Sequence, residues 1–589
     1  MGLKPCDGCG AFCNFGFFAY FYGLNRESIR KYKTNIVIPA MKKHLIGAAA
    51  LMAALLVGSA EADACTNLIA AKGATTDGSV MMTYSADSHN LFGFLHHSPA
   101  AVHPKGSMRE IREWDTNKPL GSIPQVERTY NVVGNMNEHQ VAIGESTWGG
   151  RHELEDTTGN SVMDYGSLIY VALERARSAR EALDIMTDLV DRYGYASGGE
   201  SFTIADKNEV WVMEMIGKGA EKGAVWVAVR IPDNAICGHA NEPRIRQVDF
   251  KDRKNVLHSK DVISFARKRG YFNGKDEEFS FADAYAEHDA GTRRGCDGRV
   301  WTYFRRFNKD ADKYFAWINA DSDVPMPLYI IPDRKVSLAE MQDAMRDLFQ
   351  GTPYDMTQDI GAGPFHVPYR WRPMEYEVDG RKYCMERAIA TQQTGWSFVS
   401  QSRDWLPDPV GGVFWFGTDD TNTTVYMPFY VGMTAVPAEL AKGDINTLSL
   451  ESNFWVNNIV ANEAYTRYDL MIPDIRKVQN SLENGFRDSR PEVEKRLVKT
   501  VEAGDMDAYR AAVNAEGAEV AAAATEAYRN LAGYLFVKFM DGNRKKTDAD
   551  GNFIKSEYGM PVYPEFPGYN DRRYYENIVK ETGDHFLIK

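Results

Sequence analysis

One pattern recurs along the sequence and restricts the fold more than any other feature. It consists of a short alternating strand, a turn and a second strand. The first copy begins at Cys65, where residues 66–75 are rich in β-formers, Thr-Thr-Asp-Gly at 75–78 is a turn signal and residues 79–84 form a second run. Strands joined by such tight turns pair as antiparallel hairpins and not as βαβ units. Further copies lie at 129–147, 201–217 and 411–432.

Helical patterns separate these hairpins. Residues 166–194 predict two helices, the second starting at a capping box formed by Ser178 and Glu181. Ser337 and Glu340 repeat the box ahead of a third helix. Strand pairs, helices and then more strand pairs predict an α+β layered fold.

The chain beyond residue 436 has a different character. It is rich in alanine and strongly helical, and its last 40 or so residues carry many Tyr, Gly, Pro and charged residues. We predict a catalytic body at 65–435 and, packed on it, a mostly helical C-terminal layer at 436–589 that ends in an irregular surface tail.

The segment before Cys65 has the pattern of a secretory signal peptide. Lys42 and Lys43 follow Met41, residues 45–57 are apolar, and a small-x-small cleavage pattern comes next. This predicts a signal peptide at 41–64 and an exported protein, periplasmic or extracellular, without stable membrane insertion after cleavage.

Met41 is then the true start of translation, and residues 1–40 are predicted to be a non-native extension that comes from a start assigned too far upstream. The alternative is a genuine extension in which Cys6, Cys9 and Cys13 form a metal or redox motif. A structural zinc site takes four ligands, and no second pair follows at the spacing of a zinc knuckle.

Two cleavage positions compete. Cleavage after Ala60 would leave four residues ahead of Cys65, whereas cleavage after Ala64 would make Cys65 the first residue of the mature chain. A lipoprotein signal also ends before a cysteine, but it usually has Leu three residues earlier, where this chain has Ala62. Free, lipid-modified and simply buried Cys65 are therefore the three alternatives.

A free N-terminal cysteine combines two catalytic groups in one residue. Its thiol has an ordinary pKa of about 8.5 and its α-amine one of about 8. The amine acts as the general base for the neighbouring thiol, so that attack on an amide carbonyl requires neither histidine, metal nor cofactor.

The overall charge limits the partners. A formal net charge of −13 on 589 residues disfavours nucleic acid, which attracts basic surfaces. The sequence leaves open whether a disulfide joins two of the residues Cys237, Cys296 and Cys384.

The chain resembles the PepD-like dipeptidases, a family of N-terminal-nucleophile (Ntn) cysteine hydrolases. The resemblance rests on "ACTNLIAAKGATTDGSVMMTYSAD" from Ala64 and "NEHQVAIGEST" from Asn137, and it resumes at "GTPYDMTQDIGAGPFHVPYRWRP" and "FWVNNIVANEAYTRYDLMIPDI". It implies an αββα sandwich of two stacked antiparallel sheets flanked by helices, and the hydrolysis of dipeptides through an acyl-enzyme. Small peptides are the implied partners, and association into homo-oligomers is common in the superfamily.

The resemblance also implies catalytic roles for particular residues. Cys65 matches the nucleophile, and Asp87 matches the acidic residue that orients the nucleophile's amine, although a turn-capping Asp would look the same. Asn241 resembles the asparagine that stabilises the oxyanion, with a turn-forming Asn before Pro243 as the alternative.

Two further residues are candidates for substrate binding. Glu145 matches a strand end that faces the pocket in the family and is suited to hold a substrate ammonium group. Arg387 is a weaker candidate for a second cation at the site, the alternative being a surface arginine. Family members often carry Arg where this chain has Tyr84; a tyrosine cannot lower the thiol pKa through its charge.

The sequence thus predicts an exported dipeptidase that acts through Cys65 and a thioester. The first alternative is an acylase of the same fold that acts on N-acyl amino acids, conjugated bile salts or penicillin-type amides. The alternative of another class is a lipid-anchored binding protein with a modified Cys65.

Overall fold

A computed structural model of the chain describes residues 65–589. The predicted signal peptide at 41–64 and the extension at 1–40, with its three cysteines, lie outside the described residues. The domain boundary predicted near residue 436 falls in a loop, at 434–437.

Two antiparallel sheets form the centre of the molecule. The first has seven strands in the order β16, β14, β1, β2, β19, β20, β21, and the second has eight in the order β15, β13, β12, β11, β10, β9, β8, β3. The strands of the first sheet are β1 (Asn67–Ala70), β2 (Val80–Asp87), β14 (Ile236–His239), β16 (Tyr329–Ile330), β19 (Thr394–Ser402), β20 (Val413–Thr418) and β21 (Met427–Tyr430). Those of the second are β3 (His97–Ser98), β8 (Val132–Val133), β9 (Met136–Asn137), β10 (Ala142–Gly149), β11 (Gly199–Ala205), β12 (Val210–Lys218), β13 (Glu221–Arg230) and β15 (Val256–His258).

Three small hairpins lie outside these sheets. They are β4 (Ala101–Val102) with β7 (Arg128–Thr129), β5 (Met108–Arg112) with β6 (Pro119–Pro124), and β17 (Glu375–Val378) with β18 (Arg381–Cys384).

Helices cover both outer faces. The longer helices are α1 (Tyr165–Leu173), α2 (Ala179–Tyr193), α3 (Val262–Arg269), α4 (Gly298–Phe307), α5 (Asn453–Thr466), α6 (Tyr468–Glu502), α7 (Met506–Phe539) and α8 (Arg572–Thr582). Shorter helical segments occupy Phe281–Tyr285, Ala290–Thr292, Arg293–Asp297, Phe315–Ile318, Leu338–Ala344 and Asp408–Gly411.

The layers stack as helix, sheet, sheet, helix. β10 packs on β1 and β2, which brings the two sheets face to face, while α1 and α2 cover the second sheet. α5, α6 and α7 lie against β20 and β21 of the first sheet. The αββα arrangement implied by the resemblance is therefore confirmed. Within residues 65–589, no helix combines the length and apolar character needed to cross a bilayer.

The hairpins at 201–217 and 411–432 form as the sequence predicts, but the first hairpin differs in detail. β1 ends at Ala70 and not near residue 75, and a short helical turn, Lys72–Ala74, follows it. Gly73, within this turn, donates from its backbone N–H at 2.6 Å to the carbonyl of Asp233, which lies on the segment leading into β14. A side chain at this position would meet the Asp233 carbonyl oxygen at 2.9 Å.

Both predicted helix starts occur, and one has an unexpected partner. Ser178 accepts a hydrogen bond from the Glu181 backbone N–H at 3.2 Å, but the Glu181 carboxylate accepts from Arg177 and not from Ser178. At Ser337 the reciprocal capping box with Glu340 is complete.

The C-terminal helices are joined to the sheets by buried polar contacts. Glu483 of α6 forms an ion pair with Arg346 and accepts from the backbone N–H of Tyr426 at 2.9 Å. Tyr528 of α7 donates to the carbonyl oxygen of Thr423. The predicted irregular tail contains a helix, α8, whose side chains remain solvent-accessible.

Candidate active site

Cys65 lies at the start of the central strand pair and is only 4% exposed. The next residue, Thr66, exchanges backbone hydrogen bonds with Ser85 of β2. Arg299 of α4 donates to the carbonyl oxygen of Cys65 at 2.7 Å and to the Thr66 hydroxyl at 2.8 Å. The backbone of the first described residue is therefore held from two sides.

The thiol faces a tyrosine and a carboxyl group. The sulfur lies 3.3 Å from Oε1 of Glu145 and 3.8 Å from the hydroxyl oxygen of Tyr84. Tyr84 donates its hydroxyl to the same Glu145 oxygen. Burial, and then the negative charges of Glu145 and Asp87, raise the pKa of the Cys65 thiol well above its ordinary value. With its nitrogen in peptide linkage to Ala64, the thiol is therefore protonated at neutral pH.

Asp87 ends β2, as the sequence predicts, and its carboxylate is densely hydrogen-bonded. It accepts from Arg387, from the Thr394 hydroxyl at 2.6 Å and from the Ser85 hydroxyl at 3.2 Å. Gln393 donates to its carbonyl oxygen at 2.9 Å. The carboxylate is thus fixed next to Cys65, and its contact with a free amine stays a prediction.

Arg387 is not the surface arginine considered as an alternative. Its side chain is buried and forms an ion pair with Asp87, and it also donates to the carbonyl oxygens of Ala388 and Ile389. It is a cation beside the site, as the candidate role requires. Because it is engaged with Asp87, its part in substrate binding remains a prediction.

Asn241 adopts a left-handed backbone conformation, with φ of 56°. Its side-chain amide donates to the carbonyl oxygen of Thr147 at 2.5 Å, and its Oδ1 accepts from Arg299 at 2.9 Å. Arg299 thereby connects the backbone of Cys65 to Asn241. Stabilisation of the oxyanion by Asn241 stays a prediction.

A pocket of about 290 Å³ opens beside the thiol. Its size suits a ligand no larger than a short peptide. The residues that line it are Cys65, Tyr84, Ala86, Asp87, Ser88, Asn90, Leu91, Trp114, Asp115, Thr116, Glu145, Thr147 and Tyr165. The described lining residues include three carboxyl groups and no Lys, Arg or His.

Glu145 lies within β10 and not at a strand end, and a second carboxyl group adjoins it. This second group is Glu200, which lies opposite Thr147 in the register of β10 and β11. The Thr147 hydroxyl donates to Glu200 at 2.6 Å. Burial raises the pKa of Glu145 from 4.5 to about 7. Burial, and then the charge of Glu145, raise the pKa of Glu200 well above its ordinary value. A protonated carboxyl group is therefore present at this pair near neutral pH.

The described cysteines bear on the disulfide left open by the sequence. Cys65, Cys237, Cys296 and Cys384 are all free thiols. Within the described part of the chain, no group of three or more His, Cys, Asp or Glu residues is placed to hold a metal ion.

Sequence reasoning missed three residues of this site. Arg299 lies on a helix whose arginines resemble a solvated face, although only 1% of its surface is exposed. Glu200 occupies an ordinary polar position at a strand start, and Asp115 lies in the β5–β6 turn. The contacts of these residues span dozens to hundreds of positions, which no local pattern encodes.

The comparisons with known proteins concern the chain as a whole. The family model described as "Peptidase family C69" matches residues 64–481. A "Probable dipeptidase" of Salmonella dublin is 27% identical over 410 residues, covering 67% of this chain and 86% of that protein. A "Probable dipeptidase" of Latilactobacillus sakei is 25% identical over 419 residues, covering 68% and 81%. A "Dipeptidase" of Bifidobacterium longum (strain NCC 2705) is 25% identical over 443 residues, covering 68% and 76%.

Among solved structures, the penicillin V acylase of Agrobacterium tumefaciens matches with a TM-score of 0.27 and 11% identity. The match covers 62% of this chain and 86% of that one.

Proposed function

The chain belongs to peptidase family C69, a family of Ntn-type cysteine peptidases, and from this premise we propose that it is an exported dipeptidase whose nucleophile is the N-terminal thiol of mature Cys65. The observation that carries the proposal is the position of the Cys65 sulfur in the wall of a pocket of about 290 Å³. A peptide of two residues fits such a space, whereas a folded protein chain does not.

The reaction begins once cleavage after Ala64 releases the α-amine. This amine takes the thiol proton, and the sulfur attacks the scissile carbonyl carbon to form a tetrahedral oxyanion. The amine then passes the proton to the leaving amine of the second amino acid. The C–N bond breaks and a thioester with the first amino acid remains.

Water completes the cycle. The same amine removes a proton from the water molecule that attacks the thioester, and the proton returns to sulfur as the first amino acid leaves. Asp87 orients the amine, while Asn241 and a backbone N–H stabilise the oxyanion in both halves of the reaction.

The burial of Cys65 weighs against the lipid-anchored alternative. A diacylglycerol on its sulfur would have to leave a residue that is 4% exposed through a pocket of about 290 Å³. Export itself is proposed from the apolar run at 45–57 and the cleavage pattern that follows it.

The test begins with the intact mass and N-terminal sequence of the protein secreted by cells that express the full chain. We expect an unmodified Cys65 at the first position and hydrolysis of Ala-Ala. The Cys65→Ala variant should lose hydrolysis by at least about a thousandfold. Cys384→Ser, which changes a thiol outside the pocket, is the matched control and should keep full activity.

Two results would contradict the proposal. One is a mature chain that starts elsewhere, or with a blocked amine, and still cleaves dipeptides at the full rate. The other is a protein that cleaves N-acyl amino acids or penicillin V but no dipeptide, which would favour the acylase alternative.

A further inference from the structure

The thiol of Cys65 already has a proton acceptor in the structure. It donates to Oε1 of Glu145, with 3.3 Å between the sulfur and that oxygen. Cys65 is 4% exposed and Glu145 is 1% exposed, so the contact is largely shielded from bulk water. The reaction steps described above assign the thiol proton to the α-amine and give Glu145 no part. The first contact of that proton is nevertheless with a carboxyl group of the facing sheet.

A direct transfer from sulfur to nitrogen within one cysteine is geometrically poor. A hydrogen bond from the thiol to the α-amine of the same residue would close a small ring of sulfur, two carbons, nitrogen and the hydrogen itself. Such a ring bends the angle at the hydrogen far below the roughly 150° that hydrogen bonds prefer, and they weaken steeply below about 120°. A carboxyl oxygen on another strand is free of this restriction. Glu145 lies on β10, which packs on β1 and β2 and so reaches the thiol from across the sandwich.

Tyr84 holds the acceptor oxygen beside the sulfur. Its hydroxyl donates to Oε1 of Glu145, the same atom that the thiol contacts. Burial raises the pKa of Glu145, and hydrogen bonds from Tyr84 and Cys65 lower it, with the result at about 7. A group that titrates near the working pH both takes up and releases a proton, as general acid–base catalysis requires. An arginine at position 84 would favour the ionised carboxylate and weaken it as a proton acceptor, whereas the neutral tyrosine leaves it basic.

The sulfur also has donors for the charge that remains when its proton leaves. Burial raises the pKa of the Cys65 thiol most, but hydrogen bonds from the backbone of Asp87 and from the Tyr84 hydroxyl lower it, because they favour the thiolate. The Tyr84 hydroxyl oxygen lies 3.8 Å from the sulfur. The site thus combines an acceptor for the proton with two donors for the thiolate, which is what the removal of a proton from a buried thiol requires.

We propose, as a deepening of the dipeptidase mechanism and resting on Cys65 as its nucleophile, that Glu145 is a catalytic residue that relays the thiol proton to the α-amine. The S–H bond breaks, the proton moves to Oε1 of Glu145, and the electron pair on sulfur forms the bond to the carbonyl carbon. Glu145 then gives the proton to the lone pair of the α-amine, and the resulting ammonium group protonates the leaving amine. After water has attacked the thioester, its proton returns from the α-amine through Glu145 to the sulfur.

The surroundings of Glu145 favour the second transfer. The ionisable groups that face it are Cys65, Tyr84, Asp115, Tyr165, Tyr195 and Glu200. In the mature chain, the α-amine of Cys65 joins them. Transfer from the Glu145 carboxyl group to this amine converts two neutral groups into an ammonium and a carboxylate, and each charge stabilises the other. The carboxylate is thereby restored and accepts the next proton from sulfur.

The first test measures kcat and KM for Ala-Ala on the mature protein. Glu145→Gln keeps an oxygen for Tyr84 but takes up no proton, so kcat should fall by about a hundredfold to a thousandfold. KM should change by less than about threefold, because no substrate contact is removed. Glu145→Asp keeps a carboxyl group and should retain at least about tenfold more kcat than Glu145→Gln. Glu451→Gln, whose side chain is 91% exposed, makes the same substitution away from the pocket and should match the native enzyme.

The second test labels the sulfur with iodoacetamide at pH 7 and follows the intact mass, with Cys65→Ala as the background from the other thiols. The negative charge of Glu145 raises the pKa of the Cys65 thiol, though less than burial does. If Glu145 acted through its charge alone, Glu145→Gln would make the thiol more acidic and faster to react. A residue that takes the proton has the opposite effect, and we expect Glu145→Gln to slow alkylation by at least about fivefold.

The outcomes separate this inference from the function on which it rests. A raised KM with unchanged kcat in Glu145→Gln would overturn the relay and favour a role in substrate binding. Faster alkylation of Cys65 in Glu145→Gln would overturn it as well, as would equal losses of kcat in Glu145→Gln and Glu145→Asp. A native protein that cleaves no dipeptide, but whose alkylation slows in Glu145→Gln, would contradict the dipeptidase function and leave the proton path from sulfur to Glu145 standing.

Discussion

The two walls of the pocket present the same functional group to Cys65 in opposite electrostatic settings. On the first sheet, Asp87 is paired with Arg387 and accepts from two hydroxyl groups. On the second sheet, Glu145 adjoins another carboxyl group, and burial raises its pKa to about 7. Both residues are 1% exposed, so the two carboxyl groups differ in their partners and not in their burial.

This contrast assigns different work to the two walls. The ion pair with Arg387 and the two hydroxyl donors hold the Asp87 carboxylate in one position, which suits a group that orients an amine. On the other wall, burial favours the protonated form of Glu145. The pocket therefore has an ion-paired carboxylate on one side of the Cys65 sulfur and a carboxyl group of raised pKa on the other.

The largest effect is expected from removing Arg387, the ion-pair partner of Asp87. Arg387→Met leaves Asp87 buried without its ion pair, which should lower the free energy of unfolding by about 3–5 kcal/mol. Urea unfolding followed by circular dichroism measures this. Adding Asp87→Asn removes the stranded charge and should recover at least half of the loss. A double variant no more stable than Arg387→Met would show that the loss of stability does not come from an unpaired Asp87 carboxylate.

A smaller effect is expected from the titration of Glu145, on the second sheet, as the pH changes. The pKa of Glu145 is raised on folding, from 4.5 to about 7, so its contribution to stability is fully present below pH 4.5 and is lost as the pH rises through 7. The native protein should therefore lose up to about 3 kcal/mol of unfolding free energy between pH 4.5 and 8, relative to Glu145→Gln. Parallel stability curves for the two proteins would contradict this assignment.

The smallest effect concerns the hydroxyl group that connects the two walls. The hydrogen bond from Tyr84 lowers the pKa of Glu145, partly offsetting its burial. Tyr84→Phe should therefore raise that pKa by roughly one unit, equivalent to about 1.4 kcal/mol. The pH at which the protein loses stability relative to Glu145→Gln, followed by urea unfolding, should move upward by a similar amount. A shift in the acidic direction would mean that Tyr84 does not donate to Glu145.

Much of the fold could be predicted because its determinants are local. The alternation at 201–217 and the turn at Asp206–Glu209 specify β11 and β12, and the capping residue Ser178 marks the start of α2. The first hairpin was less predictable. β1 ends early in the helical turn at Lys72–Ala74, where Gly73 contacts Asp233, 160 positions away in sequence.

The residues of the site also differ in how far the sequence could predict them. Cys65, Asp87 and Glu145 could be proposed from a leader pattern and a resemblance, and the structure brings them to one pocket. Arg387 was favoured as a surface residue because a lone arginine carries no sign of a carboxylate 300 positions before it. Glu200 carried no signal, since its importance comes from the register of β10 and β11.

The size of the pocket has a consequence for the surroundings in which such an enzyme works. A space of about 290 Å³ around the Cys65 sulfur is of the size that suits a short peptide. The supply of substrate to a dipeptidase with such a pocket is set by whichever peptidases shorten polypeptides first.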